Sequence, residues 1–269
     1  MEQDYLEMQL GTHQIAYLDP NPSGSPLVLL IHGLGADGSS WTYQLAPMVS
    51  SGMRPIAPDL PGFGRSKKLG GRWKVREAAE ILKEFIDILQ ISRIFVAGLS
   101  MGGVVAQEFT LRFSEMVQGL ILLDTFSNLM PKRKSETIYL LNRFITAQVK
   151  GVAYQADMVA QRLFPGEDKT ELRDELRKRI LQSDAGVYRQ AMIELGLYNS
   201  LPRLKQITTP TLVISGQNDT TVPMANQDDL ANGIRNAKRI LIPNAGHAVI
   251  IDQPLLVNQA MIEFIQENL

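Results

Sequence analysis

Residues 93–103, RIFVAGLSMGG, constrain the fold of this chain more than any other stretch. Five apolar positions, some β-branched, read as a buried strand, and a serine follows among glycines. The run MGGVVAQEFTLRF, residues 101–113, then has the length and composition of a helix. A strand that turns straight into a helix must strain the backbone at the turn. It also requires neighbours two residues away on either side without side chains, because strand and helix close on each other there. Gly98 and Gly102 satisfy that demand, with Gly103 behind them. Such a turn holds the Ser100 hydroxyl out at the carboxyl edge of a sheet, while the first turn of the helix offers free N–H groups and a positive dipole end. A bare G-x-S-x-G pattern arises by chance in roughly one chain of this length in ten; its position between strand and helix gives it meaning.

The surrounding pattern supports a sheet. YLEMQL (residues 5–10) and HQIAYLD (13–19) read as two amphipathic strands, and LVLLI (27–31) as a fully buried one. Strand and helix then alternate. RPIAPD (54–59) is a strand, 73–90 a helix, 93–100 a strand, 101–113 a helix and 117–124 a strand. The helix at 73–90 rests on Val75, Ala79, Leu82, Ile86 and Leu89, which lie on one face, opposite Arg76, Glu80, Lys83, Glu84 and Asp87. Runs such as LVLLI and LILL lack alternation, as parallel strands covered on both faces require. The expected architecture is therefore α/β: a mostly parallel eight-stranded sheet with helices on both faces.

Alternation stops after Asp124. Residues 125–203 read as several helices (135–149, 156–164, 169–181, 186–198), and strand and helix resume with TPTLVISG (209–216), 224–234, AKRILIP (237–243) and a last helix at 254–268. Residues 1–124 and 204–269 are expected to form one core. Residues 125–203 form an all-helical lid inserted after the sixth strand, since neither end of the segment has the composition of a linker.

A serine hydroxyl needs a base, usually a histidine oriented by a carboxylate. The chain has three histidines. His13 lies in the first hairpin and His32 follows a buried strand well before the serine, which leaves His247 in the loop after AKRILIP. Two acids compete to orient it. Asp219 and Asp124 both follow strands at the carboxyl ends, where α/β sheets build their sites. Asp219 is favoured because its strand comes next before the one leading to His247; Asp124 would cap the first turn of the lid.

Composition narrows the partners. Lysine and arginine number 27 against 28 acids, a net charge of -1, which gives no field to draw the chain onto nucleic acid or an anionic membrane. The run Lys132, Arg133, Lys134 reads as solvated surface. The absence of cysteine excludes disulfides and thiolate sites, and with one histidine free of other duties a zinc site would have to rely on carboxylates, so no metal or organic cofactor is expected. No run approaches the ~18 apolar residues of a membrane span, and MEQDYLEMQL does not read as a secretory signal, so the expected location is cytoplasmic.

These residues carry a resemblance. HGLG (32–35), DLPGFGRS (59–66), GLSMGG (98–103), GQNDTTVP (216–223) and NAGHAVIIDQP (244–254) occur in order over nearly the whole chain. The sequence resembles the α/β-hydrolases, in particular their carboxylesterase and enol-lactonase-like branch with a helical lid. The resemblance implies Ser100 as nucleophile, His247 as general base and acid, Asp219 as its orienter, and an oxyanion hole from the backbone N–H groups of Leu34 and Met101. It also implies that His32 braces the HGLG loop and that DLPGFGRS is architectural. Serine rather than aspartate at the nucleophile position disfavours epoxide hydrolysis and dehalogenation. The tryptophan common after the histidine of carbon–carbon bond hydrolases is absent.

The expected substrate is a small or medium acyl or aryl ester, or a lactone, in an apolar pocket. Candidates to line it are Trp41 and Phe126 together with Met130, Tyr139, Phe144, Tyr188 and Met192; Met158, Phe164 and Tyr198 are further large side chains of the insertion, most of which must form its core. Lactone opening, carbon–carbon cleavage of a diketone and perhydrolysis are alternatives with the same triad. A non-catalytic ligand-binding relative is a further alternative, since fold does not fix function.

Overall fold

The computed structural model describes residues 4–68, 70–131 and 134–269, without the side chains of residues 136, 139, 144 and 147. Lys132 and Arg133 therefore lie outside the described residues; Lys134 is exposed, as expected.

Eight strands form one sheet: β1 (Leu6–Leu10), β2 (His13–Leu18), β3 (Leu27–Ile31), β4 (Arg54–Pro58), β5 (Ile94–Leu99), β6 (Val117–Leu123), β7 (Thr211–Gly216) and β8 (Ala237–Ile242). Their order is β1-β2-β4-β3-β5-β6-β7-β8. The hairpin β1–β2 and the β2–β4 pair are antiparallel, and all other pairs are parallel. β3 shows why no alternation was visible in LVLLI. Leu27, Leu29 and Ile31 belong to the core on one face, Val28 and Leu30 to the core on the other, and all five are buried.

Among the described residues, α1 (Thr42–Ser50), α9 (Val249–Asp252) and α10 (Pro254–Glu267) pack on the face of Val28. On the face of Leu29 lie α2 (Val75–Ile88), α3 (Met101–Arg112) and α8 (Met224–Gly233). In α2 the expected stripe is buried from Val75 to Ile86, and Ala78, Ile81 and Phe85 widen it. Full burial of a side chain such as Phe85 or Leu82 stabilises by ~2 kcal/mol. Leu89 is the C-cap, and the helix begins at Val75, two residues after the expected start at residue 73. The sequence pattern had indicated no helix between β3 and β4. α1 is short and carries Pro47 inside, a residue that reads as a breaker; the Tyr43 carbonyl that loses its helical donor accepts instead from Asn258 Nδ2 at 2.9 Å.

Between β6 and β7 run α4 (Lys134–Val149), α5 (Gly151–Leu163), α6 (Thr170–Gln182) and α7 (Ala185–Leu197). No described helix is long and apolar enough to cross a membrane.

Candidate active site

The site is built where β5 ends. Ser100 follows Leu99 with φ 54° and ψ −117°, a conformation disfavoured for a side-chain-bearing residue, and α3 starts at the next position. The glycines allow this closeness. A Cβ on Gly98 would come within 2.2 Å of the Gly102 carbonyl oxygen, and one on Gly102 within 2.1 Å of the Ile31 carbonyl oxygen. The bend is also held by hydrogen bonds: Ser100 N–H donates to the Leu123 carbonyl (2.9 Å), and Thr125 Oγ1 donates to the Ser100 carbonyl (2.6 Å).

Three sequence-selected side chains meet here. His247 Nε2 lies 2.9 Å from Ser100 Oγ, and His247 Nδ1 lies 2.9 Å from Asp219 Oδ2. Asp219 is fully enclosed at its carboxylate. Its Oδ1 accepts from the N–H groups of Thr221 (2.7 Å) and Val222 (3.0 Å), and its Oδ2 also accepts from Gln227 Nε2 on α8 at 3.0 Å. Gln227 was not legible in the sequence, because an amide on a helix carries no sign of what it will face.

Asp124 does not cap a helical turn, contrary to expectation. Its buried Oδ1 accepts from Gly216 N–H (2.7 Å) and its Oδ2 from Val249 N–H (3.2 Å), so it ties the end of β7 to the start of α9. Burial, reinforced by the charge of Asp219, pushes the Asp124 carboxyl well above the usual carboxylate range. Among the described residues, Asp124, Asp219 and His247 form the one cluster with the proximity of metal ligands, their atoms within 4.8 Å of one another. These oxygens and Nδ1 already hold the hydrogen bonds just described, and a cation would have to displace them.

The loop after β3 approaches from the other side. A Cβ on Gly33 would sit 3.6 Å from Ser100 Cβ, and Leu34 lines the same cavities as Ser100. Met101 is the first residue of α3, so its N–H has no carbonyl partner within its own helix. Buried His32 donates from Nδ1 to the Gly33 carbonyl (2.8 Å), and its Nε2 accepts from Leu60 N–H (2.8 Å). Burial pushes its pKa down to about 4, keeping the ring neutral as those two bonds require. In DLPGFGRS, the Asp59 carboxylate accepts from Gly38 and Arg65 N–H at 2.7 Å each; burial raises its pKa to about 7.

Two cavity lobes open onto Ser100. The larger, of about 350 Å³, is lined by Leu34, Phe126, Leu129, Met130, Leu140, Leu141, Met192, Leu195 and Val222, with Arg143. The smaller, of about 100 Å³, passes His247, Ser40, Val159, Leu163, Leu176, Ile251, Arg143, Glu175 and Arg179. Of the expected pocket residues, Phe126, Met130 and Met192 line the larger lobe. Trp41 does not; it is fully buried in the core beneath α1, on the opposite face of the sheet. Tyr188 does not either, its ring packing instead beneath Gly35 as part of the core between insertion and sheet. Met158 borders a separate groove between α4 and α5, and Phe164 is buried. The side chains of Tyr139 and Phe144 lie outside the described residues. Leu129, in the segment between β6 and α4, and Leu141 and Leu195 on helices were missed because a leucine carries no sign of whether it faces a core or a cavity.

A serine on a strand-to-helix bend, at the carboxyl edge of this sheet order, is the arrangement of an α/β hydrolase. The chain belongs to the alpha/beta hydrolase fold family, whose pattern matches residues 26–254. It is 28% identical over 257 residues to a 2-hydroxy-6-oxononadienedioate/2-hydroxy-6-oxononatrienedioate hydrolase of Escherichia coli, covering 90% of this chain and 88% of that one. An esterase of Thermogutta terrifontis, solved with malate bound, superposes with a TM-score of 0.83 at 27% identity over 98% of both chains. The enol-lactonase of Burkholderia xenovorans superposes with a TM-score of 0.87 at 22% identity over 97% of this chain and all of the other. The resemblance to the esterase and lactonase-like branch agrees with these similarities.

Proposed function

We propose that the protein is a serine hydrolase that cleaves carboxylic esters of small to medium apolar acyl or aryl groups. The observation that carries this reading is the unbroken line from Ser100 Oγ through His247 to Asp219, with 2.9 Å at each link, at the floor of a largely apolar cavity. In this mechanism His247 Nε2 takes the Ser100 proton as Oγ attacks the ester carbonyl. Asp219 holds Nδ1–H and stabilises the imidazolium that forms. The oxyanion is received by the N–H groups of Leu34 and Met101, aimed by the loop after β3 and the start of α3. His247 then protonates the departing alcohol, and water, activated by the same imidazole, releases the acid. The insertion 125–203 acts as a lid whose side chains select the acyl group.

A second reading is favoured by one observation: two cations, Arg143 and Arg179, line the smaller lobe beside His247 against one acid, Glu175, which pairs with Arg179. A substrate carrying a carboxylate, such as an acidic lactone or a diketone acid, would be suited to that lobe. The absent tryptophan after His247 speaks against carbon–carbon cleavage.

Labelling with a fluorophosphonate is expected to modify Ser100 alone, and p-nitrophenyl butyrate to turn over. Absence of label at Ser100 would falsify the nucleophile assignment. A side-by-side panel of neutral esters, carboxylate-bearing lactones and diketones separates the two readings by their relative kcat/KM.

A further inference from the structure

The loop carrying His247 is bracketed by two buried carboxylates. Two residues after the histidine, Val249 N–H donates to Asp124; one residue before it, Gly246 N–H donates to Asp252 Oδ2 at 2.9 Å. The two acids differ in how their charge is met. Asp124 is wholly enclosed and faces Asp219, conditions that favour the protonated carboxyl. Asp252, at the end of α9 with its side chain 6% exposed, has a cation: Lys169 Nζ donates to its Oδ1 at 2.9 Å. That lysine belongs to the helical insertion, in the single turn that precedes α6.

We propose that Lys169 is a positioning residue for His247: from the lid it supplies the counter-charge that holds Asp252 on the Gly246 N–H, and so sets the orientation and basicity of the imidazole. The inference rests on the hydrolase reading for its consequence in turnover, and on geometry alone for its effect on the ring. A buried carboxylate that loses its close cation becomes an uncompensated charge, which draws water or turns away. Either response loosens the backbone next to His247. When Lys169 is seated, the pair is nearly neutral at the distance of the ring. The other charged or titratable groups around the imidazole are Asp219 and Asp124 at the strand ends, and Arg143, Glu175 and Arg179 from α4 and α6. The substitutions below change none of these.

The test is an NMR pH titration of the imidazoles in wild type, Lys169→Met, Asp252→Asn and the double variant, which needs no substrate. With three histidines in the chain, His247 is assigned by its loss in His247→Asn. Removing the cation is expected to raise the His247 midpoint by roughly half a pH unit, and removing the anion to lower it by a similar amount. The double variant returns near wild type, as does Lys169→Arg. Asparagine at 252 still accepts the Gly246 N–H, so the two single variants are not equivalent structural lesions. In turnover, Lys169→Met lowers kcat several-fold with KM nearly unchanged, and the acid limb of kcat/KM moves to higher pH. Midpoints that coincide in all variants, or a uniform loss of melting temperature and kcat without opposite shifts, overturn the proposal. Failure of Ser100 labelling in wild type sinks the hydrolase reading and leaves the titration result standing by itself.

Discussion

The loops at the carboxyl edge of the sheet and the helices between β6 and β7 border the same cavity but are held in different ways. Around Ser100, His247 and Asp219, nearly every constraint is a backbone N–H aimed at a buried carboxylate or carbonyl, as with Asp59, Asp124, Asp219 and Asp252. The insertion meets these loops partly through apolar packing, Ile180 and Tyr188 beneath Gly35 and Val187 against Gly62, and partly through long cationic side chains: Lys169 on Asp252, Arg179 4.0 Å from Asp37, and Arg162 donating to the Thr220 carbonyl. α4 lays an apolar stripe open, with Ile138, Leu141 and Ile145 at 53%, 57% and 47% exposed. Short bonds from backbone to carboxylate hold a geometry to fractions of an ångström; flexible side chains hold a cover that can be remodelled for a different substrate.

If that contrast is right, substitutions in the sheet loops abolish function and those in the insertion tune it. The largest effect is expected from Ser100→Ala, at least about 10⁴-fold in kcat, with Asp219→Asn close behind and Asp124→Asn far milder. Initial rates on one ester decide the order, and a greater loss at Asp124 would mean the wrong acid has been chosen. Next comes Gly102→Ala, whose new Cβ meets backbone that cannot yield; a loss above ~4 kcal/mol in urea unfolding, or no folded protein, is expected.

His32 gives a pH-dependent effect. Its folded pKa, about 4, lies below the ~6.5 of an unfolded histidine, so the unfolded chain binds the extra proton between those values. The contribution of His32 is therefore full above pH 6.5 and is lost as pH falls towards 4, by about 3 kcal/mol at most. Urea unfolding of wild type and His32→Gln from pH 7 to 4 should show the wild-type advantage shrinking; a constant difference would refute the burial argument. Smaller again is Met192→Ala in the larger lobe, where KM for a butyrate ester rises about fivefold at nearly constant kcat, as expected for lost apolar contact. Asp157→Ala removes the exposed pair with Arg177 and should change stability by less than ~0.5 kcal/mol in thermal melts.

Legibility in the sequence followed the same division. The bend at Ser100, the buried strands and α2 were readable because glycine spacing and apolar periodicity respond to local geometry. His247 and Asp219 were readable because three histidines and a strand order leave few choices. Trp41 and Tyr188 were misassigned because a large apolar ring looks the same whether it faces a substrate or a core; only the finished packing puts Trp41 in the core on the other face of the sheet and Tyr188 beneath Gly35. Of the large residues of the insertion named from the sequence, Phe164 and Tyr188 are buried and Met130 and Met192 line the larger lobe, while the exposed stripe Ile138, Leu141 and Ile145 on α4 was not singled out at all.

The amino-acid sequence by itself determined the alternation of buried strands and helices and the sharp bend that carries Ser100, because apolar periodicity and glycine spacing answer to sterics within a few residues. Only the tertiary structure brought the sequence-favoured Asp219 within 2.9 Å of His247, committed Asp124 to the Gly216 and Val249 N–H groups, and set Gln227 on Asp219 and Lys169 on Asp252. Those contacts join segments tens of residues apart, and the direction of a carboxylate is set by which N–H groups the finished fold brings within 3 Å of it.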